Sequence, residues 1–410
     1  MTLGDLRRVD VQPRHFKRRS DASVRSSGAE LELGKRTWTV NGDFVGLTPN
    51  GVARYGREVS RALDALIGEH HPLTQGLRLR LVSPVDASDL ELLHAQCVVV
   101  PEVRSLRLPQ VWCQLQLPRL VEGGLLSFCN LAPMIVEKQI VCIHDLHTRL
   151  MPESYGIGFR LAHRVILPVL GRRVRAVTTV SSLSKSHLIE FGIAPEPKIH
   201  ITYNGADHAR RWEAARSKRV FRQGRPFVFG FAREQVYKNT ELFWRIAVAL
   251  DARGIDIVLG GDFAPRFADA LGALPTNLRL VGRLSDDELA QALSEALCFV
   301  FPSRIEGFGI PAVEAMMLGC PVVASSAPCL PEVCADAALF VAPDDDRGWI
   351  DGIAALAASS SLRRDLIARG AVRAEAFTWR SIALSYLKLM AEIDGIDVEG
   401  DRKLAFSGRF

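Results

Sequence analysis

One strand–loop–helix unit in the second half of the chain constrains the fold more than any other segment. The apolar strand Cys298–Phe301 leads straight into a glycine-rich loop, 303–309, and then into residues that favour helix. Pro311 suits the first turn of that helix, where a missing N–H costs nothing, and Gly319 can end it. Because a strand, a loop and a helix in this order are the repeating unit of a parallel sheet, the segment predicts an α/β fold.

The same loop carries groups that can hold a phosphorylated sugar. Gly307 and Gly309 let backbone N–H groups approach a ligand closely, and the helix N-terminus after them favours an anion. Glu306 in the loop and Glu314 in the helix flank this cradle, and both can accept hydrogen bonds from sugar hydroxyls. Two glutamates at this spacing alone would more often be solvated side chains. The strand, the glycines and Pro311 around them favour a nucleotide-sugar site instead.

Short β-rich runs alternate with helical patterns along the whole chain, which predicts parallel sheets. In the first half the predicted strands are 38–40, 77–82, 97–100, 140–143, 177–180 and 199–201. In the second half they are 226–231, 255–259, 278–281, 298–301, 322–324 and 339–341. Helices are expected near 52–66, 109–121, 184–191, 240–252, 285–296, 310–318 and 346–358.

This alternation predicts two Rossmann-like domains in series with a cleft between them. Ligands of such sheets bind beyond the carboxyl ends of the strands, where Glu306 is expected. The predicted parts are a disordered basic tail, 1–36; an N-terminal Rossmann-like domain that holds the acceptor, 37–208; a linker, 209–224; a C-terminal Rossmann-like domain that holds the nucleotide-sugar, 225–376; a helix that returns to the first domain, 377–395; and a second tail, 396–410.

The stretch from Ser303 to Glu332 resembles the signature of the family-4 retaining glycosyltransferases. In that family two glutamates are separated by seven positions, with Gly-Phe-Gly after the first, as in Glu306 and Glu314 here. The downstream Gly-x-Pro-Val-Val-Ala and Leu-Pro-Glu segments are similar too. The resemblance extends over about 38–380 and implies the GT-B fold, with Glu306 on the sugar hydroxyls and Glu314 on the ribose.

A second element, Arg233 and Lys238, follows the predicted strand 226–231. Arg offers a planar fork for phosphate oxygens and Lys a point charge, so the two could neutralise a diphosphate leaving group. An ordinary solvated loop is the alternative. The family has an Arg and a Lys at this spacing that bind the donor diphosphate, so the resemblance implies that role for Arg233 and Lys238.

Two segments of the first half carry further candidates. His144 follows the strand 140–143 and resembles the family histidine that lies close to the transferred sugar, although a lone histidine at a strand end is more often structural. Gly51 belongs to a loop that is usually richer in glycine, with Ala53 where the family often has Gly. The predicted substrate-binding residues are Gly51, Gly307, Phe308, Gly309 and Glu314, and the predicted catalytic residues are His144, Arg233, Lys238 and Glu306.

Composition limits the compartment and the partners. The net charge of +5, from 51 basic and 46 acidic side chains, is too small to argue for nucleic acid. No apolar run approaches the ~18 residues of a spanning helix, and residues 1–36 lack the apolar core of a signal peptide. None of the eight cysteines forms a Cys-x2-Cys pair, and several lie in apolar runs. These features predict reduced thiols in a cytoplasmic protein.

A basic segment, 159–175, predicts a further partner. Arg160, Arg164, Arg172 and Arg175 fall near one helical face, although Pro168 interrupts the pattern. Such a helix can lie on anionic lipid, here at the inner face of the cytoplasmic membrane. A solvated face on a core helix is the alternative.

The sequence therefore predicts a retaining glycosyltransferase that needs no metal and no cofactor besides its nucleotide-sugar co-substrate. The resemblance is greatest to bacterial polysaccharide mannosyltransferases, which implies GDP-mannose as donor and a growing, lipid-linked glycan as acceptor. A diphosphate oxygen of the donor would take the acceptor's proton, so no protein base is required. Two alternatives stay open: a sugar-nucleotide epimerase or hydrolase on the same fold, and a non-catalytic scaffold.

Overall fold

The computed structural model describes residues 36–48, 50–102, 111–262 and 272–396 of the 410-residue chain. They form two all-parallel sheets, one of seven strands and one of six. The predicted α/β architecture is confirmed. Strand pairing is parallel throughout, and most strands are buried on both faces, which explains why they stood out as continuous apolar runs.

The first sheet has the strand order β3-β2-β1-β4-β5-β6-β7. Its strands are β1 (Arg36–Asn41), β2 (Leu77–Ser83), β3 (Gln96–Val99), β4 (Gly124–Ser127), β5 (Gln139–Cys142), β6 (Ala176–Thr179) and β7 (Ile199–Ile201). The sequence prediction missed β4, which has only four residues and begins with a glycine. The Gly123 before it has φ +71°, and a Cβ there would lie 1.9 Å from the carbonyl oxygen of Thr37.

The second sheet repeats the same winding in the order β10-β9-β8-β11-β12-β13. Its strands are β8 (Phe227–Phe231), β9 (Asp256–Gly260), β10 (Leu278–Gly282), β11 (Cys298–Phe301), β12 (Val322–Ser325) and β13 (Ala338–Val341). All six were predicted to within one or two residues. The order reverses between β8 and β11, which is where ligands of such sheets bind.

The helices around the first sheet are α1 (Gly51–Gly68), α2 (His147–Leu150), α3 (Ile157–Arg173) and α4 (Ser182–Glu190). Contrary to the prediction, α3 continues through Pro168, and Arg175 lies beyond its end. The helix expected at 109–121 is also wrong in type: its described part is a π-helical turn, Trp112–Gln116, and a 3₁₀ turn, Leu117–Arg119. Residues 109 and 110 of that prediction lie outside the described residues.

The second sheet is accompanied by α5 (Glu241–Asp251), α6 (Asp286–Glu295), α7 (Ile310–Met317), α8 (Leu330–Cys334), α9 (Asp346–Ala358) and α10 (Ser360–Ala374). The prediction did not include α10. Ser285 and Glu288 form a capping box at the start of α6. Within the described residues, no helix is both long and apolar enough to span a bilayer.

The last helix, α11 (Trp379–Ile393), lies on the first sheet beside α1. The Tyr386 hydroxyl is 3.0 Å from that of Tyr55 in α1 and 2.7 Å from Thr178 Oγ1 in β6. The segment 209–224, predicted as a linker, pairs with both domains: Arg211 donates to Glu58 and Arg219 to Glu288. The predicted tails lie outside the described residues, apart from residues 36 and 396.

Candidate functional site

The two loops predicted to bind the donor follow neighbouring strands. Cys298 and Phe299 of β11 pair with Val228 and Phe229 of β8, so the loops after these strands leave the same edge of the sheet. The loop after β8 is held by Thr240, whose hydroxyl accepts from the backbone N–H of Arg233 at 2.9 Å and donates to its carbonyl at 2.7 Å. The sheet therefore brings 233–238 and 303–309 together.

An ion pair joins these loops. Lys238 Nζ lies 2.6 Å from Glu306 Oε1, and only 8% of Glu306 is exposed. Lys238, which was predicted to bind the diphosphate, thus holds Glu306, which was predicted to bind the sugar hydroxyls. Because the pair is close and partly desolvated, it fixes both side chains better than an exposed pair would.

Arg233 lies in the same loop as Lys238 and is more exposed than Lys238. Its guanidinium carbon is 5.7 Å from the centroid of the Phe231 ring. Desolvation lowers the pKa of Arg233, although the nearby Asp262 opposes the shift. Arg233 is nevertheless a cation, because arginine side chains stay protonated in proteins.

The glycine loop approaches the first domain closely. A Cβ on Gly307 would lie 3.2 Å from the carbonyl oxygen of His144, and Gly309 has the left-handed φ of +97°. Phe308 between them is 3% exposed, and its ring packs against Tyr203 and Phe377. As a correction to the predicted substrate contact, the side chain of Phe308 is therefore a buried anchor, and only its backbone can face a ligand.

Gly51 lies across from this loop. It is the first residue of α1, and a Cβ there would be 3.5 Å from Ile310 Cδ1, at the start of α7. The N-termini of α1 and α7 therefore converge, which favours an anion between them. Ala53, where the family often has Gly, is 1% exposed, and its N–H is capped by the Asn50 side chain at 2.9 Å.

His144 is brought to the cleft but is already engaged. Its Nε2 donates to the carbonyl oxygen of Phe128 at 2.7 Å, and its ring packs edge-on against Tyr55. Burial alone would lower the pKa of His144, but the neighbouring Cys142 and the Phe128 carbonyl raise it to about 9. A direct sugar contact through Nε2 would require His144 to leave Phe128.

Glu314 is 5% exposed and has partners from two other parts of the chain. His208 Nε2 lies 2.8 Å from Glu314 Oε1, and Arg54 Nε of α1 lies 4.0 Å from the same atom. Arg54 also donates two hydrogen bonds to Asp286 of the second domain, at 3.1 and 2.7 Å. Hence α1 contributes a cation beside the carboxylate that was predicted to hold the ribose.

Three residues that shape the cleft had no predicted role in the site. His208 had no local signal, because its partner lies 106 residues further on. Tyr237, between the two predicted cations, is buried with its ring 5.1 Å from that of His147, and burial raises its pKa. Glu332 accepts from the backbone N–H of Ser182 at 2.8 Å and from the Tyr203 hydroxyl at 3.0 Å, so it joins the domains.

The described residues contain no cluster of three or more His, Cys, Asp or Glu side chains that could hold a metal ion. All eight cysteines are free thiols, and six of them are buried. Burial raises the pKa of Cys320 and Cys334 to about 12. These two thiols therefore stay protonated at neutral pH.

Comparisons with known proteins bear on this site. The family model described as glycosyl transferases group 1 matches residues 213–373, which include both donor loops. The O-antigen chain mannosyltransferase RfbU of Salmonella typhimurium is 27% identical over 67% of this chain and 80% of its own length. A GDP-mannose:cellobiosyl-diphosphopolyprenol alpha-mannosyltransferase of Komagataeibacter xylinus is 29% identical over 57% of this chain and 60% of its own length. These matches confirm the predicted resemblance to bacterial mannosyltransferases.

Solved structures share the fold at low identity. Sucrose-phosphate synthase of Thermosynechococcus elongatus superposes with a TM-score of 0.66 at 18% identity, over 88% of this chain and 99% of its own. Anabaena HepE in complex with UDP-glucose gives 0.65 at 17% identity, over 87% and 99%. They confirm the predicted GT-B fold.

Proposed function

We propose that this chain, a glycosyltransferase of GT-B architecture, transfers mannose from GDP-mannose to a hydroxyl of a lipid-linked bacterial glycan, with retention of configuration. The observation that carries the proposal is the meeting of Lys238 and Glu306 at the switch point of the second sheet, 2.6 Å apart. A cation for a leaving phosphate and an acceptor for sugar hydroxyls are there side by side, opposite the first domain.

In this proposal the protein supplies charge and orientation. Arg233 and Lys238 stabilise the diphosphate as its bond to the sugar C1 breaks. Glu306 accepts hydrogen bonds from sugar hydroxyls, and Glu314 accepts them from the ribose. The acceptor oxygen bonds to C1 from the face that the diphosphate leaves, and a diphosphate oxygen takes the acceptor's proton. We also propose that no divalent ion is required, because two cations already face the diphosphate.

The choice of donor and acceptor rests on the relatives. Both mannosyltransferases named above support mannose as the transferred sugar, and the second one supports GDP as the nucleotide and a diphosphopolyprenol-linked acceptor. UDP-glucose is the natural rival donor, because HepE binds it on the same fold.

A membrane surface is the partner that α3 supports. Ile157, Leu161 and Val165 recur every four residues and are 73, 58 and 62% exposed, while Arg160 and Arg164 lie beside them, also exposed. An apolar stripe flanked by cations suits the interface of an anionic bilayer. We propose that α3 rests on the cytoplasmic membrane.

This surface lies next to the cleft. Tyr155 stacks on Phe159 of α3, with ring centroids 5.9 Å apart, and Tyr155 also interacts with Tyr237 of the donor loop. An acceptor whose lipid end lies in the bilayer under α3 could therefore reach the cleft with its sugar end.

Thermal stabilisation by a panel of nucleotides and nucleotide-sugars tests the donor. We expect GDP and GDP-mannose to raise the melting temperature most. Mannose should be transferred only when a polyprenyl-diphosphate-linked acceptor is present. A preference for UDP and UDP-glucose would overturn the choice of GDP-mannose. Loss of donor without acceptor would favour the hydrolase or epimerase, and absence of donor binding in calorimetry would favour the scaffold.

A further inference from the structure

Glu314 is oriented by a buried histidine that belongs to the connection between the two domains. His208 is 0% exposed and lies in the 3₁₀ turn Asp207–Arg211, in the segment that leaves β7 for the second domain. On the proposed function, on which this inference rests, Glu314 holds the donor ribose. We infer that His208 is a positioning residue that sets the orientation of the Glu314 carboxylate and links it to the domain connection.

The direction of the hydrogen bonds follows from the donor groups. Trp379 Nε1 lies 2.9 Å from His208 Nδ1, and an indole N–H can only donate. Nδ1 of His208 must therefore accept, which leaves its proton on Nε2. That nitrogen donates to Glu314 Oε1 at 2.8 Å. The indole of Trp379 thus selects the one neutral tautomer of His208 that can hold the carboxylate.

The two chain segments that connect the domains meet beside His208. The first runs through Ala206 and Asp207, and the second through Phe377 and Trp379. The backbone N–H of Ala206 donates to the carbonyl of Phe377 at 3.0 Å, and that of Trp379 donates to Asp207 Oδ1 at 2.9 Å. A domain rotation that separates these two connections would also release His208, and so the carboxylate of Glu314.

A positioning role and a packing role of His208 predict different effects on the affinity for different nucleotides. If His208 acts through Glu314, its loss matters only for a nucleotide that presents ribose hydroxyls. If His208 only fills space between Trp212 and Trp379, its loss lowers the affinity for all nucleotides equally or leaves all of these affinities unchanged. A nucleoside diphosphate that lacks both hydroxyls separates the two roles.

The experiment compares GDP with 2′,3′-dideoxy-GDP by calorimetry on the full chain. We expect His208→Met to lower the affinity for GDP ~10-fold, which is the effect of losing a hydrogen bond to a charged group. The affinity for dideoxy-GDP should not change. His208→Gln, whose amide can still donate to Glu314, should restore most of the affinity for GDP. Trp379→Phe, which removes the indole N–H that selects the tautomer, should have an affinity for GDP between those of His208→Met and the wild type.

Glu314→Gln distinguishes this inference from the proposed function. If Glu314→Gln weakens GDP while His208→Met binds it like the wild type, the positioning role is wrong and the ribose role of Glu314 stands. If Glu314→Gln leaves the affinity for GDP unchanged, the ribose role is wrong and the inference falls with it. If His208→Met lowers the affinities for GDP and dideoxy-GDP equally, the inference is wrong and His208 has a packing role. His208→Gln shows whether the fold tolerates a substitution at this position.

Discussion

Lys238 Nζ and Glu306 Oε1, 2.6 Å apart, neutralise each other across the two donor loops. On the proposed function, the donor changes this pair as it binds: the diphosphate shares the ammonium group of Lys238, and sugar hydroxyls approach the carboxylate of Glu306. Such a pair keeps each group oriented in the meantime, so little reorganisation is needed when charge develops on the leaving group.

Removing either cation should reduce turnover strongly. We expect Lys238→Ala and Arg233→Ala each to lower kcat by ~100-fold or more, since each contributes charge stabilisation worth ~3–4 kcal/mol in comparable preorganised sites. Steady-state release of the nucleoside diphosphate measures the effect.

Arg253→Ala is the matched control, because Arg253 lies just beyond the C-terminal end of α5, and its guanidinium donates to the carbonyl of Ala249. Its turnover should equal that of the wild type. Near-normal turnover of Lys238→Ala or Arg233→Ala, at an unchanged melting temperature, would contradict the diphosphate role.

The placement of these residues was predictable because it depends on local order along the chain. Arg233 follows β8 and Glu306 follows β11, and doubly wound sheets bring such strand ends together. The apolar runs located these strands, since burial on both faces leaves no polar positions in between.

Contacts between distant segments were not predictable from one sequence. The pair His208 and Glu314 joins residues 106 positions apart, and the pair Arg54 and Asp286 joins residues 232 apart. No periodicity or capping pattern reports such pairs. The exposure of Leu161 does not follow from the sequence either, because an apolar residue in a helix normally faces the core, and only the packed structure shows that this one faces solvent.

Chelation should leave the activity intact. On the proposed function, Arg233, Lys238 and the N-terminus of α7 balance the charge of the diphosphate, so we expect the same initial rate in excess EDTA as in Mg²⁺. The acidic run 344–346 does not suggest a metal site, because Asp345 caps α9 and Asp344 pairs with Arg304. Complete loss of activity on chelation, restored by Mg²⁺, would falsify the metal-free account.

The stability of the protein should fall in mild acid through His163. Burial lowers the pKa of this 3% exposed imidazole from 6.5 to about 4, with Arg149 adding to the shift and Asp145 opposing it. Below pH 6.5 the unfolded chain therefore takes up the proton before the folded one does. The free energy of unfolding should then decrease by up to ~1.4 kcal/mol per pH unit until pH 4.

The variant His163→Leu isolates this contribution. It cannot titrate, so its free energy of unfolding relative to the wild type should rise as the pH falls from 6.5 to 4. Urea unfolding at both ends of this window measures the difference. A difference that does not depend on pH would show that His163 titrates normally in the folded protein.

The arginines of α3 should be needed for membrane binding and for lipid-linked acceptors, but not for the donor. Each cation near an anionic surface contributes ~1 kcal/mol, and salt weakens the attraction. Changing Arg160, Arg164, Arg172 and Arg173 to Gln should therefore reduce sedimentation with anionic liposomes at low salt. Transfer to a lipid-linked acceptor should drop in parallel, while the affinity for the nucleotide-sugar stays the same.

A control with the same change of net charge separates this face from a general charge effect. Four exposed arginines serve this purpose when they are changed to Gln together: Arg222 of the segment 209–224, and Arg253, Arg347 and Arg364 of the second domain. That variant should sediment like the wild type, because its substitutions lie away from the apolar stripe. Replacing Leu161 and Val165 with Ser should reduce sedimentation even at high salt, since the lost contribution is apolar. Unchanged sedimentation of the α3 variants would leave this helix with an ordinary solvated face.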